Sequence, residues 1–245
     1  MQNVIVTGAD RGLGLSLCRE YLERGWRVFA GKFMEDYFLL ENLQKKYPNL
    51  HILRINMSSA ESILAAAQDV AKETSGVDML ISNAALMEKV DFSIGQSPDK
   101  SPMDLESVWR SFNINALGPL RLVETFLPLM SGGMKRLCFV SSEVSCINLM
   151  KNRWPDAYSY PYPMSKAAMN MAIRLMHNEL VPKGFSFRLY HPGWMKFREP
   201  DGTLTEEGKF DPDDIAKKAA KYFEAPQHNE NRLAMLDFCG YEWPF

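Results

Sequence analysis

Asn3-Val-Ile-Val-Thr-Gly-Ala-Asp-Arg-Gly-Leu-Gly14 decides the fold of this 245-residue chain. A short β-prone run, Val4 to Thr7, enters a turn with glycines at 8, 12 and 14, and an apolar helical pattern continues to about Arg24. Glycines at these places permit a tight turn and a close approach of backbone to ligand, while the unpaired N–H groups and positive dipole end of the helix favour a pyrophosphate. The strand-to-helix setting therefore predicts a dinucleotide site at Gly8, Asp10, Arg11, Gly12, Leu13 and Gly14.

Further β-rich runs, Arg27 to Ala30, His51 to Asn56, Met79 to Ser82, Arg136 to Ser141, Ser186 to His191 and Leu233 to Asp237, alternate with longer helical patterns. The alternation predicts right-handed βα units in an α/β, Rossmann-type, doubly wound fold: a mostly parallel seven-stranded sheet with helices on both faces. Nothing marks a second domain, so residues 1–245 read as one. Boundary signals agree: Gly25 closes the first helix, Ser58 with Glu61 makes a capping box, and Asp211 before Pro212 is an N-cap. Irregular stretches near 145–163 and 197–209 each follow the carboxyl end of a strand, where such sheets bind ligands, and are expected to form walls or a lid of the substrate site.

The formal net charge of -2 is spread among interspersed charges without a basic stripe, which argues against nucleic acid as a partner. Cys18, Cys138, Cys146 and Cys239 form no CxxC pair or Cys/His cluster, so neither a metal site nor a disulfide framework is expected. No apolar run reaches membrane-spanning length, and the strand-like start leaves no room for a signal sequence. The expectation is a cytoplasmic protein.

Tyr162 is the only tyrosine with a lysine four residues later. On a helix that spacing puts phenol and ammonium on one face, and the positive charge is expected to bring the phenol down from a pKa of ~10. Such a tyrosine can exchange a proton near neutral pH, although packing alone would also explain the pair.

With the TGADRGLG turn, Ser82-Asn-Ala-Ala85 and Tyr162-Pro-Met-Ser-Lys166 in order, the chain resembles the short-chain dehydrogenase/reductase family over nearly its full length. Asn115-Ala-Leu-Gly118 matches that family's NxxG element, Ser142 its strand-end serine, and Pro192-Gly193 its last motif. His191-Pro-Gly-Trp-Met195 and the segment Leu236 to Phe245 resemble the C-factor- and sniffer-like carbonyl reductase subgroup. The resemblance implies that Tyr162 is the general acid in reduction, or the base in oxidation. It implies that Ser142 stabilises the carbonyl oxygen, that Lys166 tunes the tyrosine and holds the nicotinamide ribose, and that Asn115 anchors a water in the proton relay. It also implies cofactor contacts at Asn56, Met57, Asn83, Ala84, Ala85, Tyr162, Lys166, Pro192, Gly193, Trp194 and Met195.

The chain departs from the pattern in places. Twenty residues separate Ser142 from Tyr162, more than is usual, and the added stretch brings Trp154 and Tyr158 as candidate substrate contacts beside Ser142, Val144, Tyr162 and Trp194. Ala85 replaces a glycine, for which a small adjustment is expected. Phe197 stands where a threonine often bonds the nicotinamide carboxamide. At the end of the second strand, where NAD-preferring members carry an aspartate, Gly31-Lys32-Phe33 occurs; Lys32, helped by Arg11, would neutralise a 2′-phosphate, which favours NADP(H) over NAD(H).

These readings converge on an NADP(H)-dependent oxidoreductase interconverting a small-molecule carbonyl and alcohol, the substrate being apolar. The alternatives are a non-catalytic NADP-sensing regulator and a reductase of activated alkenes or pterin-like rings. By resemblance, helices spanning roughly residues 104–130 and 162–180, with Val108, Phe112, Leu120, Met169 and Met176, would assemble a homodimer or homotetramer.

Overall fold

The computed structural model describes residues 1–88, 105–150, 159–226 and 229–245. Its strands are β1 (Asn3–Val6), β2 (Arg27–Lys32), β3 (Leu50–Arg54), β4 (Met79–Ser82), β5 (Arg136–Val140), β6 (Ser186–His191), β7 (Met235–Asp237) and β8 (Glu242–Trp243). They form one sheet in the order β3-β2-β1-β4-β5-β6-β7-β8. Every pairing is parallel except β7 with β8, where Met235 faces Trp243. The expected seven strands are present; β8 is an eighth, formed as the chain turns back after Asp237. Two residues carry no periodicity to read, and Asp237 makes the reversal locally, its carboxylate accepting the N–H groups of Cys239 and Tyr241.

The central strands β1, β4 and β5 present apolar residues to both sides, as a sheet covered on both faces requires. Along β1, Val4 and Val6 point into one core and Ile5 into the other; β4 and β5 alternate likewise. The first core lies under α1 (Gly12–Glu23), α2 (Leu39–Gln44) and α7 (Pro212–Glu224) and includes Leu17, Cys18, Ile215 and Phe223. The second lies under α3 (Ala60–Glu73), α5 (Gly118–Phe126) and α6 (Pro161–Leu180) and includes Ile63, Phe126, Met169 and Ile173. Met169 and Met176 are therefore core residues and not part of an outer helical face.

Gly25 sits at φ +79° just past α1, and Asp211 caps α7 by accepting the Asp213 N–H. The cap of α3 is Ser59, one residue later than expected: its hydroxyl accepts from the Ser62 N–H and donates to Glu61. Ser58 is engaged elsewhere, by the Asn56 side chain. Between α4 (Leu105–Phe112) and α5 the helix widens into a π-helical segment, Asn113–Leu117. Among the described residues no helix is long and apolar enough to cross a membrane.

The strand order reverses direction between β1 and β4, so the carboxyl ends of these strands splay apart and open a crevice. The glycine turn, Asn83 to Leu86, Ser142 and the start of α6 all emerge on that side.

Candidate active site

The turn after β1 is held by a reciprocal clip. Thr7 Oγ1 accepts the N–H groups of Asn83 and Ala84, while Asn83 Nδ2 donates to the carbonyls of Thr7 and Gly8 at 2.9 and 3.1 Å. The side chain of Asn83, expected at the cofactor, instead shapes the turn that would receive it. Asp10 is likewise committed: its carboxylate accepts the N–H groups of Phe33 and Met34, tying the turn to the end of β2.

Gly8 is at φ +63° with Ala84 Cα 2.7 Å from where a Cβ would stand, and a Cβ on Gly14 would fall on the Gly8 carbonyl oxygen. Helix α1 has no side-chain cap and no acidic residue in its first turn. An uncapped helix start behind a backbone-walled cradle suits a diphosphate, so these residues fit a dinucleotide. Ala84 packs on Gly8, Ala85 is exposed, and its methyl group needs no accommodation.

Around the adenosine end the structure redistributes the expected roles. Lys32 is almost fully buried and ion-paired with Glu41 of α2 at 2.5 Å, so it is not the open cation that the sequence suggests. Arg11 donates to the Tyr37 hydroxyl at 3.0 Å and lies 5.4 Å from the Tyr37 ring and 5.1 Å from the Phe197 ring. Among the described residues it enters no ion pair. Asn56 Oδ1 accepts from the N–H and hydroxyl of Ser58, and Met57 is buried against Gly118.

The stretch 197–209, expected as a wall or lid of the substrate site, packs against α1, α2 and α7. Phe197 packs on Gly12, Gly202 lies beside Leu39 of α2, and Arg198 pairs with Asp213 of α7 at 2.7 Å. Asp213 also accepts from Ser16 and Arg19 of α1, and although burial opposes its charge, these partners hold its carboxyl below the usual range. The stretch thus folds back as a flap across the glycine turn. Polar partners far away in sequence direct it there, which no local pattern could show.

At the other end of the crevice the proposed catalytic residues meet. Ser142, just past β5, stands near Tyr162 in the first turn of α6. Lys166, one turn on, lies 5.7 Å from the Tyr162 ring centre and donates to the Val140 carbonyl at 2.8 Å. Asn115, in the π-helical segment and fully buried, exchanges hydrogen bonds with the backbone of Leu86 and donates to Ser165 at 2.9 Å. It braces the loop after β4 against α6. π-Helical turns are rare and recur at functional sites, and none was legible in the sequence.

Val144 is half-buried beside Ser142, Pro192 is buried, Gly193 takes φ +76°, and Trp194 is 61% exposed at the root of the flap with Met195 next to it. Trp154 and Tyr158 lie outside the described residues.

The electrostatics differ from the sequence expectation. Burial pushes the Tyr162 phenol up to about 12, with the nearby Ser142 side chain opposing that rise; the charge of Lys166 does not bring it below its ordinary value. Burial lowers Lys166 itself to about 8. Spacing on a helix brings the two together but does not reveal how dry their setting is, and desolvation outweighs an attraction acting over this distance.

A stability prediction follows. Between about pH 8 and 10.5 the unfolded chain holds a proton on Lys166 that the folded chain has released, so the contribution of this lysine to stability rises with pH over that window. Lys166→Met removes the effect. The Tm advantage of the variant over the parent, measured without cofactor, is expected to be largest near pH 7 and to shrink toward pH 10.5; a gap that widens would contradict the assignment.

Comparison with known proteins points the same way. The short chain dehydrogenase family model matches residues 2–203. An oxidoreductase of Schizosaccharomyces pombe is 29% identical over 235 residues, covering 95% of this chain and 88% of that protein. The C-signal of Myxococcus xanthus is 40% identical over 134 residues, 54% of this chain and 74% of that one. The NADPH-bound carbonyl reductase from chicken fatty liver superposes with a TM-score of 0.82 at 26% identity, covering 100% of this chain and 99% of that one. These likenesses agree with the carbonyl-reductase-like placement drawn from His191 to Met195 and Leu236 to Phe245. With the glycine turn, the Tyr162–Lys166 helix and the doubly wound sheet in one arrangement, the chain is an oxidoreductase that belongs to the short-chain dehydrogenase/reductase family.

Proposed function

We propose that this enzyme interconverts a carbonyl and an alcohol using NADP(H), with Tyr162 as the proton donor in reduction. The observation that carries the reading is the gathering of Ser142, Tyr162 and the buried Lys166 at the carboxyl edge of the sheet that also bears the glycine cradle. Bound nicotinamide supplies or accepts the hydride. The chain's own residues manage the oxygen: negative charge grows there during reduction, and two prepositioned hydroxyls stabilise that charge more than they stabilise the neutral ground state. A phenol held near 12 stays protonated at neutral pH and so keeps its proton available. Ile147, Met87 and Trp194, at 73%, 52% and 61% exposure on segments adjoining the site, favour an apolar substrate. NADPH consumption measured over ketones, quinones and enones tests the reading. Turnover of ketones or quinones is expected; tight NADPH binding with no turnover of any class would instead favour a cofactor sensor.

For the cofactor, Arg11 rather than Lys32 is the cation placed to meet a 2′-phosphate, and the NADPH in the chicken enzyme supports the choice of NADP. Losing a charge-assisted hydrogen bond weakens binding by about ten- to a hundred-fold. Arg11→Ser is expected to do so for NADPH while leaving NADH nearly unchanged, and Lys32→Ser to change NADPH affinity by less than about three-fold. Fluorescence titration of both cofactors decides; equal losses for NADPH and NADH would remove Arg11 from this role.

Trp109, Leu117, Leu120, Met171 and Leu175 remain exposed on α4 to α6, and we assign that face to a homodimer, to be checked by sedimentation of the parent against Trp109→Glu.

A further inference from the structure

We propose that Asn170 is the positioning residue for Ser142, gripping both flanks of the serine from the helix that carries Tyr162 and Lys166. The inference rests on the reading of Ser142 and Tyr162 given above. Tyr162, Lys166 and Asn170 are spaced four apart on α6, so all three lie along one stripe of the helix.

The Asn170 side chain is buried, with Oδ1 accepting from Ser141 Oγ at 2.8 Å and Nδ2 donating to Ser145 Oγ at 2.8 Å. Ser145 Oγ in turn donates to the carbonyl of Ser142 at 2.6 Å. A hydroxyl has one proton; because Ser145 gives its own to Ser142, it must accept from Asn170, and Ser141 must then donate. Only a side chain with one donor and one acceptor side by side satisfies both flanks. Aspartate lacks the donor and leucine lacks both.

Backbone bonds also hold the turn after β5, with the Ser141 N–H donating to the Tyr190 carbonyl at 2.8 Å and the Ser145 and Cys146 N–H groups to the carbonyls of Ser142 and Glu143 at 3.1 and 3.0 Å, but the other bonds there that involve a side chain are longer. The Val144 N–H meets Ser142 Oγ at 3.4 Å and the Glu143 N–H meets His191 Nδ1 at 3.3 Å, both near the limit for a useful hydrogen bond. The short, buried side-chain path, and the one that leads to α6, runs through Asn170. It references Ser142 to the same rigid element as Tyr162, so the two hydroxyls that must meet one substrate oxygen cannot drift independently. A displacement of about 1 Å in such a pair is enough to cost on the order of a hundred-fold in rate.

The test uses the full chain with Asn170→Leu, Ser142→Ala and the double variant. It reads NADPH affinity by fluorescence, amide hydrogen exchange across residues 141–145, and turnover of phenanthrenequinone with NADPH. Asn170→Leu is expected to speed exchange across 141–145 and to lower kcat by about ten- to a hundred-fold, with NADPH affinity held within about three-fold. In the Ser142→Ala background the same change is expected to cost less than about three-fold, because the group being positioned is gone. Unchanged exchange and kcat in Asn170→Leu, or an equal loss with and without Ser142, would overturn the proposal. Full turnover in Ser142→Ala alone would instead overturn the catalytic reading of that serine. If Asn170→Leu does not fold, the isosteric Asn170→Asp, which keeps the acceptor for Ser141 and loses the donor to Ser145, carries the same cycle.

Discussion

Tyr162→Phe is expected to lower kcat about a thousand-fold while NADPH affinity stays within about two-fold. The substitution deletes one oxygen from a ring whose packing is otherwise retained, so Lys166, the glycine turn and α6 keep their places. What disappears is the proposed proton donor. The loss is concentrated in turnover because the phenol acts on the reacting oxygen, where charge develops after binding is complete. Ser142 persists in the variant and still donates to that oxygen, which sets a floor on activity. Steady-state kinetics with a fluorescence titration of NADPH separates the two quantities. Retained turnover would remove Tyr162 from proton transfer, and a matching loss of NADPH binding would move its role to the cofactor.

Gly14→Val is expected to weaken NADPH binding by at least about a hundred-fold and to lower Tm by several degrees. A Cβ at this position falls on the Gly8 carbonyl oxygen and stands 2.6 Å from Asn83 Nδ2. Both neighbours are parts of the clip between β1 and β4, so relief requires moving backbone or breaking the bonds of Asn83 to Thr7 and Gly8. Overpacking of this kind costs about 1–3 kcal/mol, and about 1 kcal/mol shifts Tm by roughly 2–4 °C in a chain of this size. Binding suffers more than stability because the displaced atoms are the walls of the diphosphate cradle. Gly25→Ala is the control: Gly25 has φ +79° but nothing within 4 Å of a Cβ, so only the left-handed backbone cost of about 1–2 kcal/mol applies and NADPH affinity is expected to be unchanged. If Gly14→Val binds NADPH like the parent, the cradle is not at this turn.

Much of the fold was legible because its signals are local. β-Prone apolar runs, glycine at the strand-to-helix turn and Asp before Pro at a helix start act within a few residues, and the strands at Met79–Ser82 and Ser186–His191 lie where the sequence puts them. The cap at Ser59 rather than Ser58 shows the limit of such reading, since adjacent serines offer the same chemistry and only the bond from Asn56 to Ser58 separates them. Ser142, Tyr162 and Lys166 were likewise legible, by motif. Their protonation was not, because it depends on how much water the surrounding packing excludes.

The sequence by itself determined the doubly wound fold, the glycine turn after β1 and the residues proposed for cofactor binding and proton transfer, since periodicity, glycine conformational freedom and helical spacing are properties of neighbouring residues. Tertiary structure alone decided which of the candidate polar side chains are engaged by the protein itself. Lys32 pairs with Glu41, Asp10 and Asn83 hold the turn, the flap turns back over Arg11, and Asn170 reaches the strand-end serines. Each of those outcomes is a competition among charged or hydrogen-bonding partners that only folding brings within reach, and a buried polar group takes whichever partner satisfies it there.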